Sequence, residues 1–150
     1  MSEVLDVVIV GGGLVGGLTA LLLAQGGVQP TVLDAAPVLD VEKTLSVMNP
    51  RVLALSQATI HLLKTVNVWD DLARQMPYTG MQVWNLNGYG EINFGHESVQ
   101  RPMPEQALGS MVEPSVLNVA IQQKMLEQLT DYRTQVRVTR IEQGVGCWHI

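Results

Sequence analysis

The sequence predicts an α/β fold that begins with a strand–helix–strand unit whose two strands are parallel. The first observation is a short β-branched run over residues 4–10, bounded by glycines, which is typical of a strand covered on both faces. The second is a run of leucines at helical spacing, ended by the Gly26–Gly27 pair. The third is another short apolar run over residues 30–34. Two strands of one sheet joined in this way require a right-handed crossover.

A membrane span is the main competing interpretation, because residues 7–33 contain no charged side chain and a stretch of that length can cross a bilayer. Acidic residues precede this stretch, at Glu3 and Asp6, whereas a secretory signal begins with basic ones. Pro30 and the Gly26–Gly27 pair interrupt the run where a spanning helix should continue. We therefore interpret it as a strand, turn, helix and strand.

Later segments predict further elements around this unit. Ser56 is expected to cap a helix that carries Ile60, Leu63 and Val66. Alternating runs over residues 81–86 and 91–94, separated by glycine-rich turn residues, predict a β-hairpin inserted in the fold. The other expected elements are a loop over residues 39–50, a loop over 101–109, a helix with Leu117, Ala120, Ile121 and Met125 on one face, and a strand over 136–141.

Composition excludes several classes of protein. The chain has 150 residues, of which 47% are hydrophobic and 15% charged, which suits one globular domain. A net charge of −5 without a basic stripe argues against nucleic-acid binding. The single Cys147 excludes an intramolecular disulfide and predicts a reducing, cytoplasmic setting. No metal site is expected, because the three histidines show no ligand spacing: His61, His96 and His149.

The motif that carries chemistry is Gly11-Gly12-Gly13-Leu14-Val15-Gly16, which satisfies G-x-G-x-x-G between the first strand and the first helix. In this motif the first glycine allows a tight turn, the second lets the backbone approach a pyrophosphate, and the third allows close packing of helix and sheet. The start of the helix then offers unpaired N–H groups and the positive end of its dipole to the phosphates.

Asp34 ends the second predicted strand, where an acidic residue can accept hydrogen bonds from both hydroxyls of an adenosine ribose. The same carboxylate would repel a 2′-phosphate, so NADP suits this particular site poorly. Together the strand, glycine turn, helix and acid predict a Rossmann-like FAD/NAD(P)-binding domain. The motif does not separate FAD from NAD, because both present the same ADP half.

The whole chain resembles the N-terminal part of the FAD-dependent aromatic hydroxylases of ubiquinone biosynthesis, which are related to para-hydroxybenzoate hydroxylase. The matching stretches occur in order along the chain, at residues 6–16, 51–56, 68–70, 80–84 and 108–113 with 115–117. Such enzymes are considerably longer and carry later Asp-Gly and Gly-Asp motifs, so the resemblance predicts a truncated chain, with residues 1–150 as one incomplete N-terminal part of an FAD-binding domain.

The resemblance implies an FAD cofactor, NAD(P)H as hydride donor, and oxygen transfer to an aromatic, polyprenyl-phenol ring. Arg51 matches a family arginine near the flavin and its phosphates, and no catalytic acid or base is assigned because the flavin performs the chemistry. A polyprenylated substrate implies contact with the inner-membrane surface or with a multi-enzyme complex of the ubiquinone pathway. Pro114 departs from the family, which usually carries Asn there, and proline suits the first turn of a helix.

Other conspicuous residues are given structural roles. Asp70 and Asp71 are expected to cap a helix rather than exchange protons. Cys147 is expected to be buried, and Trp69, Trp84 and Trp148 are expected to fill the core. Residues 76–78 and the Pro-rich loop are candidates for the border of a substrate pocket. Two alternatives remain open: another FAD- or NAD-dependent oxidoreductase, and a non-enzymatic truncated fragment that only binds nucleotides.

Overall fold

The computed structural model describes residues 3–95 and 107–150 of the chain. Within these ranges the helices are α1 (Leu14–Gln25), α2 (Val41–Ser46), α3 (Gln57–Thr65) and α4 (Pro114–Gln128), and a 3-10 turn covers Trp69–Asp71. The strands are β1 (Val8–Val10), β2 (Thr31–Leu33), β3 (Leu53–Ser56), β4 (Met76–Tyr78), β5 (Gly80–Trp84), β6 (Glu91–Gly95), β7 (Gly109–Val112), β8 (Asp131–Arg133), β9 (Glu142–Gln143) and β10 (Trp148–His149).

The predicted strand–helix–strand unit is confirmed. β1 and β2 are parallel neighbours, with Val8 opposite Thr31, and β2 pairs on its other side with β8, also in parallel. Both strands are shorter than the apolar runs that predict them. Pro30 has no N–H to give to a ladder, so β2 begins one residue after it.

The core lies between this sheet and the pair of helices α1 and α4, which pack against each other. Leu21, Val32, Ile121 and Met125 are fully or almost fully buried there. Gly17 permits the close approach of the helices, because a Cβ at this position would overlap Cγ2 of Ile121. The small-residue spacing in α1 therefore serves helix packing within the fold, and among the described residues no helix is long and apolar enough to cross a membrane.

The second sheet carries the expected helix α3. Its strands β3, β7 and β4 are antiparallel and adjacent in that order. The Ser56 side chain accepts a hydrogen bond from the Thr59 backbone N–H, which confirms the predicted N-cap. Helix α4 begins at Pro114, as the first-turn preference of proline predicts, and its expected apolar face is buried.

Two predictions about secondary structure were wrong. Residues 39–50 are not a continuous loop, since α2 begins after Asp40, whose side chain accepts a hydrogen bond from the Lys43 N–H at 3.0 Å. This helix buries no residue, so the apolar periodicity that reveals most helices is missing from its sequence. Residues 136–141 alternate in polarity but form no strand, because the place beside β2 is taken by β8 over Asp131–Arg133.

The predicted hairpin is confirmed as β5 and β6, which are antiparallel with Met81 opposite Phe94 and Val83 opposite Ile92. Of the three tryptophans, only Trp69 is buried, at 8% exposure, whereas Trp84 and Trp148 are 65% and 64% exposed. The expectations of a core position for these two residues and of burial for Cys147 were therefore wrong, because the short hairpins that carry them have little of the described chain packed against them.

The expected cap at Asp70 and Asp71 was also wrong. They lie in the 3-10 turn, which begins after Val68 without a side-chain cap, and Asp71 pairs instead with Lys124 of α4 at 2.7 Å. Of the loop predicted over residues 101–109, residues 101–106 lie outside the described residues, and its end at Gly109 is the start of β7.

Candidate functional site: the glycine turn and its acidic neighbour

The glycine-rich turn joins the carboxyl end of β1 to the start of α1. Gly11 has φ +100°, a backbone conformation that residues with a Cβ rarely adopt, and its N–H donates to the Leu33 carbonyl at 2.8 Å. Gly13 is the N-cap of α1, and the first intrahelical bond runs from the Gly17 N–H to the Gly13 carbonyl at 2.7 Å. The N–H groups of residues 14–16, which come before Gly17, therefore have no acceptor within the helix.

The surroundings of the glycines show which of them are required for packing and which leaves space for a ligand. A Cβ on Gly16 would collide with the backbone carbonyl of Gly11, and one on Gly12 would lie 2.7 Å from Asp34 Oδ2. A Cβ on Gly13 would meet nothing within 4 Å. Gly13 and Val15 are exposed, and the first turn of α1 carries no acidic side chain. An exposed helix start of this kind is able to accept an anion such as a phosphate.

Asp34 follows β2 directly and its carboxylate is turned toward the glycine turn. Oδ2 accepts from the Gly12 N–H at 2.9 Å, and Oδ1 accepts from the Ala36 N–H at 2.9 Å. Each carboxylate oxygen has a second lone-pair direction, so the group keeps capacity for two more donors such as the hydroxyls of a ribose. The bond to Gly12 is a feature that the sequence does not reveal, because the two residues are brought together only by the pairing of β1 with β2.

Tyr132 and Gln122 support this corner and were missed by the sequence analysis. A Cβ on Gly12 would lie 3.1 Å from the Tyr132 ring, and Gln122 donates to the Tyr132 hydroxyl at 3.0 Å. The other side-chain atom of Gln122, Oε1, accepts from the Leu39 N–H at 2.6 Å. Burial raises the pKa of the Tyr132 hydroxyl, and the negative charge of Asp34 acts in the same direction. No short sequence motif identifies Gln122 and Tyr132 as part of the site, since they lie on α4 and β8, far from the glycine turn in sequence.

Arg51 lies two residues before the start of β3 and is exposed. Its backbone N–H donates to Asn49 Oδ1 at 2.9 Å, which fixes the local turn. Among the described residues its guanidinium makes no hydrogen bond or ion pair, so the charge remains available to a ligand.

A hollow of about 630 Å³ is lined by residues of the segment 37–50 and by Ser115. The buried Ser115 Oγ has no hydrogen-bond partner within the described chain.

An ion pair between Arg74 and Glu113 holds this region together and was also missed. Arg74 Nε lies 2.7 Å from Glu113 Oε1, and Arg74 Nη2 lies 3.1 Å from Glu113 Oε2. Glu113 is only 7% exposed and its Oε2 also accepts from the Asn49 N–H at 2.7 Å. The hydrogen bond from Arg74, followed by that from the Asn49 backbone, holds the pKa of the Glu113 carboxyl below its ordinary value.

The lowered pKa of Glu113 predicts a pH dependence of stability. A carboxyl whose pKa is lower in the folded state stabilises the fold fully above its ordinary pKa of 4.5, and this contribution is lost as the pH falls through the lowered pKa. We expect Glu113→Gln to flatten the decline in the free energy of unfolding below that pH, measured by urea denaturation at a series of pH values. The pKa values of Glu3 and Asp131 are lowered as well, beside Arg133, so some decline should remain in the variant. An unchanged decline would contradict this role.

The parallel sheet, the glycine turn at the start of α1 and the acid at the end of β2 define a dinucleotide-binding α/β domain. Comparison with known proteins is more specific: the chain belongs to the FAD binding domain family, whose match covers residues 4–146.

The curated relatives include monooxygenases and hydroxylases named for ubiquinone or its biosynthesis. The chain is 37% identical over 123 residues to the 3-demethoxyubiquinol 3-hydroxylase of Escherichia coli, a match that covers 80% of this chain and 30% of that protein. It is 35% identical over 122 residues to the ubiquinone hydroxylase UbiL of Rhodospirillum rubrum, covering 80% of this chain and 27% of that protein. The chain thus spans less than a third of the length of these relatives.

Solved structures with the same fold include monooxygenases. The p-nitrophenol 4-monooxygenase PnpA of Pseudomonas putida matches with a TM-score of 0.64 at 22% identity, over 96% of this chain and 34% of that one. PqsL of Pseudomonas aeruginosa, described as a probable FAD-dependent monooxygenase, matches with a TM-score of 0.62 at 18% identity, over 93% of this chain and 35% of that one. At these identities the likeness concerns the fold.

Proposed function

We propose that this chain binds FAD and supplies the nucleotide-binding part of an aromatic-ring monooxygenase. The observation that carries the proposal is the open backbone at Gly13, at the exposed start of α1 and next to a turn held by the Asp34 carboxylate. This combination fits a diphosphate and the adjoining ribose. Membership of the FAD binding domain family favours FAD over NAD as the ligand.

Each proposed site residue has a distinct task. Residues 11–16 (Gly11, Gly12, Gly13, Leu14, Val15 and Gly16) form the turn around the diphosphate, whose phosphates are held by the amides at the start of α1, and Asp34 accepts from the ribose hydroxyls. Arg51 approaches the flavin half, where a guanidinium keeps its charge and offers a planar set of donors. Bound FAD would supply the redox and oxygen chemistry, whereas the protein binds, orients and excludes water.

The substrate and partners are proposed by analogy with the named relatives. We propose an aromatic ring of the ubiquinone pathway as the substrate, because the 3-demethoxyubiquinol 3-hydroxylase and the ubiquinone hydroxylase UbiL are named for that chemistry. NAD(P)H is the proposed hydride donor. The proposed location is cytoplasmic, at the surface of the inner membrane or within a multi-enzyme assembly, since a polyprenylated substrate is held in the bilayer.

A ligand titration of the purified 150-residue chain tests the proposal. We expect FAD and ADP to bind, riboflavin to bind far more weakly because it has no diphosphate, and FAD binding to appear as a change in flavin fluorescence. We expect little hydroxylation of phenols with NAD(P)H, because the chain spans 30% of the E. coli relative. A chain that binds NAD but leaves FAD fluorescence unchanged would instead support another type of oxidoreductase. Binding of ADP without either dinucleotide would support the non-enzymatic alternative.

A further inference from the structure

The ion pair of the partly exposed Arg74 with the buried Glu113 lies where three parts of the fold meet. Glu113 is the residue before α4 and directly follows β7, whereas Arg74 lies between the 3-10 turn and β4. The guanidinium and the carboxylate form two parallel contacts, at 2.7 and 3.1 Å. Such a pair has a defined orientation, because the planar donor fork matches the two carboxylate oxygens.

The same pair binds the backbone of the segment that follows α2. Arg74 Nη1 donates to the Leu45 carbonyl at 2.7 Å, and Arg74 Nη2 donates to the Val47 carbonyl at 3.3 Å. Glu113 Oε2 accepts from the Asn49 N–H at 2.7 Å. Within the described chain, helix α2 buries no residue and packs mainly against α4, so these hydrogen bonds are the polar contacts that hold the segment after it. Arg74 and Glu113 therefore fix the path of residues 45–49.

This path leads directly to Arg51. The Asn49 side chain continues the chain of contacts, because its Oδ1 accepts from the Arg51 N–H at 2.9 Å. The sequence of contacts runs from the buried carboxylate through the Asn49 backbone and side chain to the Arg51 backbone. The exposed guanidinium of Arg51 is thus carried by a segment whose position depends on two residues remote in sequence.

We propose that Arg74 and Glu113 are positioning residues that set the Arg51 guanidinium for the flavin half of FAD. This inference rests on the proposed function. It assigns the ADP half to the glycine turn and Asp34, which Arg74 and Glu113 do not contact. A change in the ion pair should consequently affect FAD and ADP differently, whereas a general loss of structure would affect both.

The test compares FAD and ADP affinities of the 150-residue chain with those of Arg74→Met and Glu113→Gln. We expect FAD binding to weaken by about tenfold and ADP binding to change by less than about twofold. Lys124→Met is the matched control, because it breaks an ion pair between α4 and Asp71 that does not hold residues 45–51, and it should leave FAD affinity unchanged. Equal losses of FAD and ADP affinity in Arg74→Met and Glu113→Gln would overturn the inference.

A double-mutant cycle with Arg51 separates positioning from a structural role. In an Arg51→Ala background, Arg74→Met should cause no further loss of FAD affinity, since the group that it positions is gone. Additive losses would overturn the inference. Asn49→Ala provides a second test if Arg74→Met and Glu113→Gln fail to fold, because it removes only the acceptor of the Arg51 N–H, on an exposed side chain. It should weaken FAD binding and leave ADP binding unchanged.

The outcomes distinguish this inference from the function on which it rests. The positioning role alone is overturned if the unmodified chain binds FAD and the variants Arg74→Met, Glu113→Gln and Asn49→Ala bind it equally well. If the unmodified chain binds ADP but not FAD, the proposed function fails and the positioning role fails with it.

Discussion

Gly16→Ala is expected to destabilise the fold strongly, whereas Gly13→Ala is expected to fold normally and to bind FAD far more weakly. The two glycines belong to one turn and the two substitutions add the same methyl group. They differ in what that group meets: the backbone carbonyl of Gly11 in one case and open space in the other.

The collision at Gly16 has no easy relief. The Gly11 carbonyl belongs to a turn held by the Gly11 N–H bond to Leu33 and by the Gly12 N–H bond to Asp34. Backbone shifts forced by overpacking cost about 1–3 kcal/mol and occasionally more, against a total stability of about 5–15 kcal/mol for a domain. Urea denaturation should show a loss of about 3 kcal/mol or more, or an insoluble product. A variant as stable as the unmodified chain would contradict the packing role of Gly16.

At Gly13 the effect should fall on the ligand. Its φ of −73° and ψ of −163° are accessible to alanine, so the free energy of unfolding should fall by about 1 kcal/mol at most, the cost of a poorer N-cap residue. A methyl group there occupies the space proposed for the diphosphate. We expect FAD affinity to fall by about 100-fold, equivalent to about 2.7 kcal/mol. Unchanged FAD binding would contradict the proposed position of the diphosphate.

Asp34→Ala is a further substitution with a large expected effect. It removes the proposed acceptor for the ribose hydroxyls, and hydrogen bonds to charged groups contribute about 1.5–3 kcal/mol each. It also removes the acceptor of the Gly12 N–H, so the turn loses its support. We expect the affinities for FAD and ADP to fall together by about 100-fold, measured by calorimetric titration.

The choice of nucleotide distinguishes the ribose contact from general support of the turn. The unmodified chain should prefer AMP to adenosine 2′,5′-bisphosphate, which differs from it only by the 2′-phosphate that the carboxylate repels, and Asp34→Ala should remove that preference. Asp71→Asn changes the charge equally but on the remote 3-10 turn, where Asp71 pairs with Lys124, and should leave both affinities unchanged. A preference that persists in Asp34→Ala would show that the acid does not face the ribose.

Local patterns predicted the parts of the fold whose causes are local. The glycine turn follows from the backbone requirement at Gly11, the α3 start follows from the Ser56 cap, and the β5–β6 hairpin follows from alternation around turn residues. In each of these cases the residues that determine the conformation are neighbours in sequence, so the pattern contains the information.

Local sequence patterns failed where the structure of a segment depends on which other part of the chain lies next to it. Residues 136–141 alternate like a strand but do not pair with β2, and residues 131–133 take that place. Trp84 and Trp148 have side chains typical of a core, but they lie on hairpins with little of the described chain to cover them. A strand needs a ladder partner and a core residue needs packing on several sides, and neither can be read from a short window.

The amino-acid sequence by itself determined the class of the site, because G-x-G-x-x-G, a following helix and an acid at the next strand end are consecutive along the chain. Only the tertiary structure decided how that site is supported. The Gly12 N–H donates to Asp34 across 22 positions of sequence, and Arg74 pairs with Glu113 across 39 positions. The Tyr132 ring lies where a Cβ on Gly12 would come within 3.1 Å of it. Such contacts form when strands pair and helices pack, and their energy depends on burial and geometry that exist only in the folded chain.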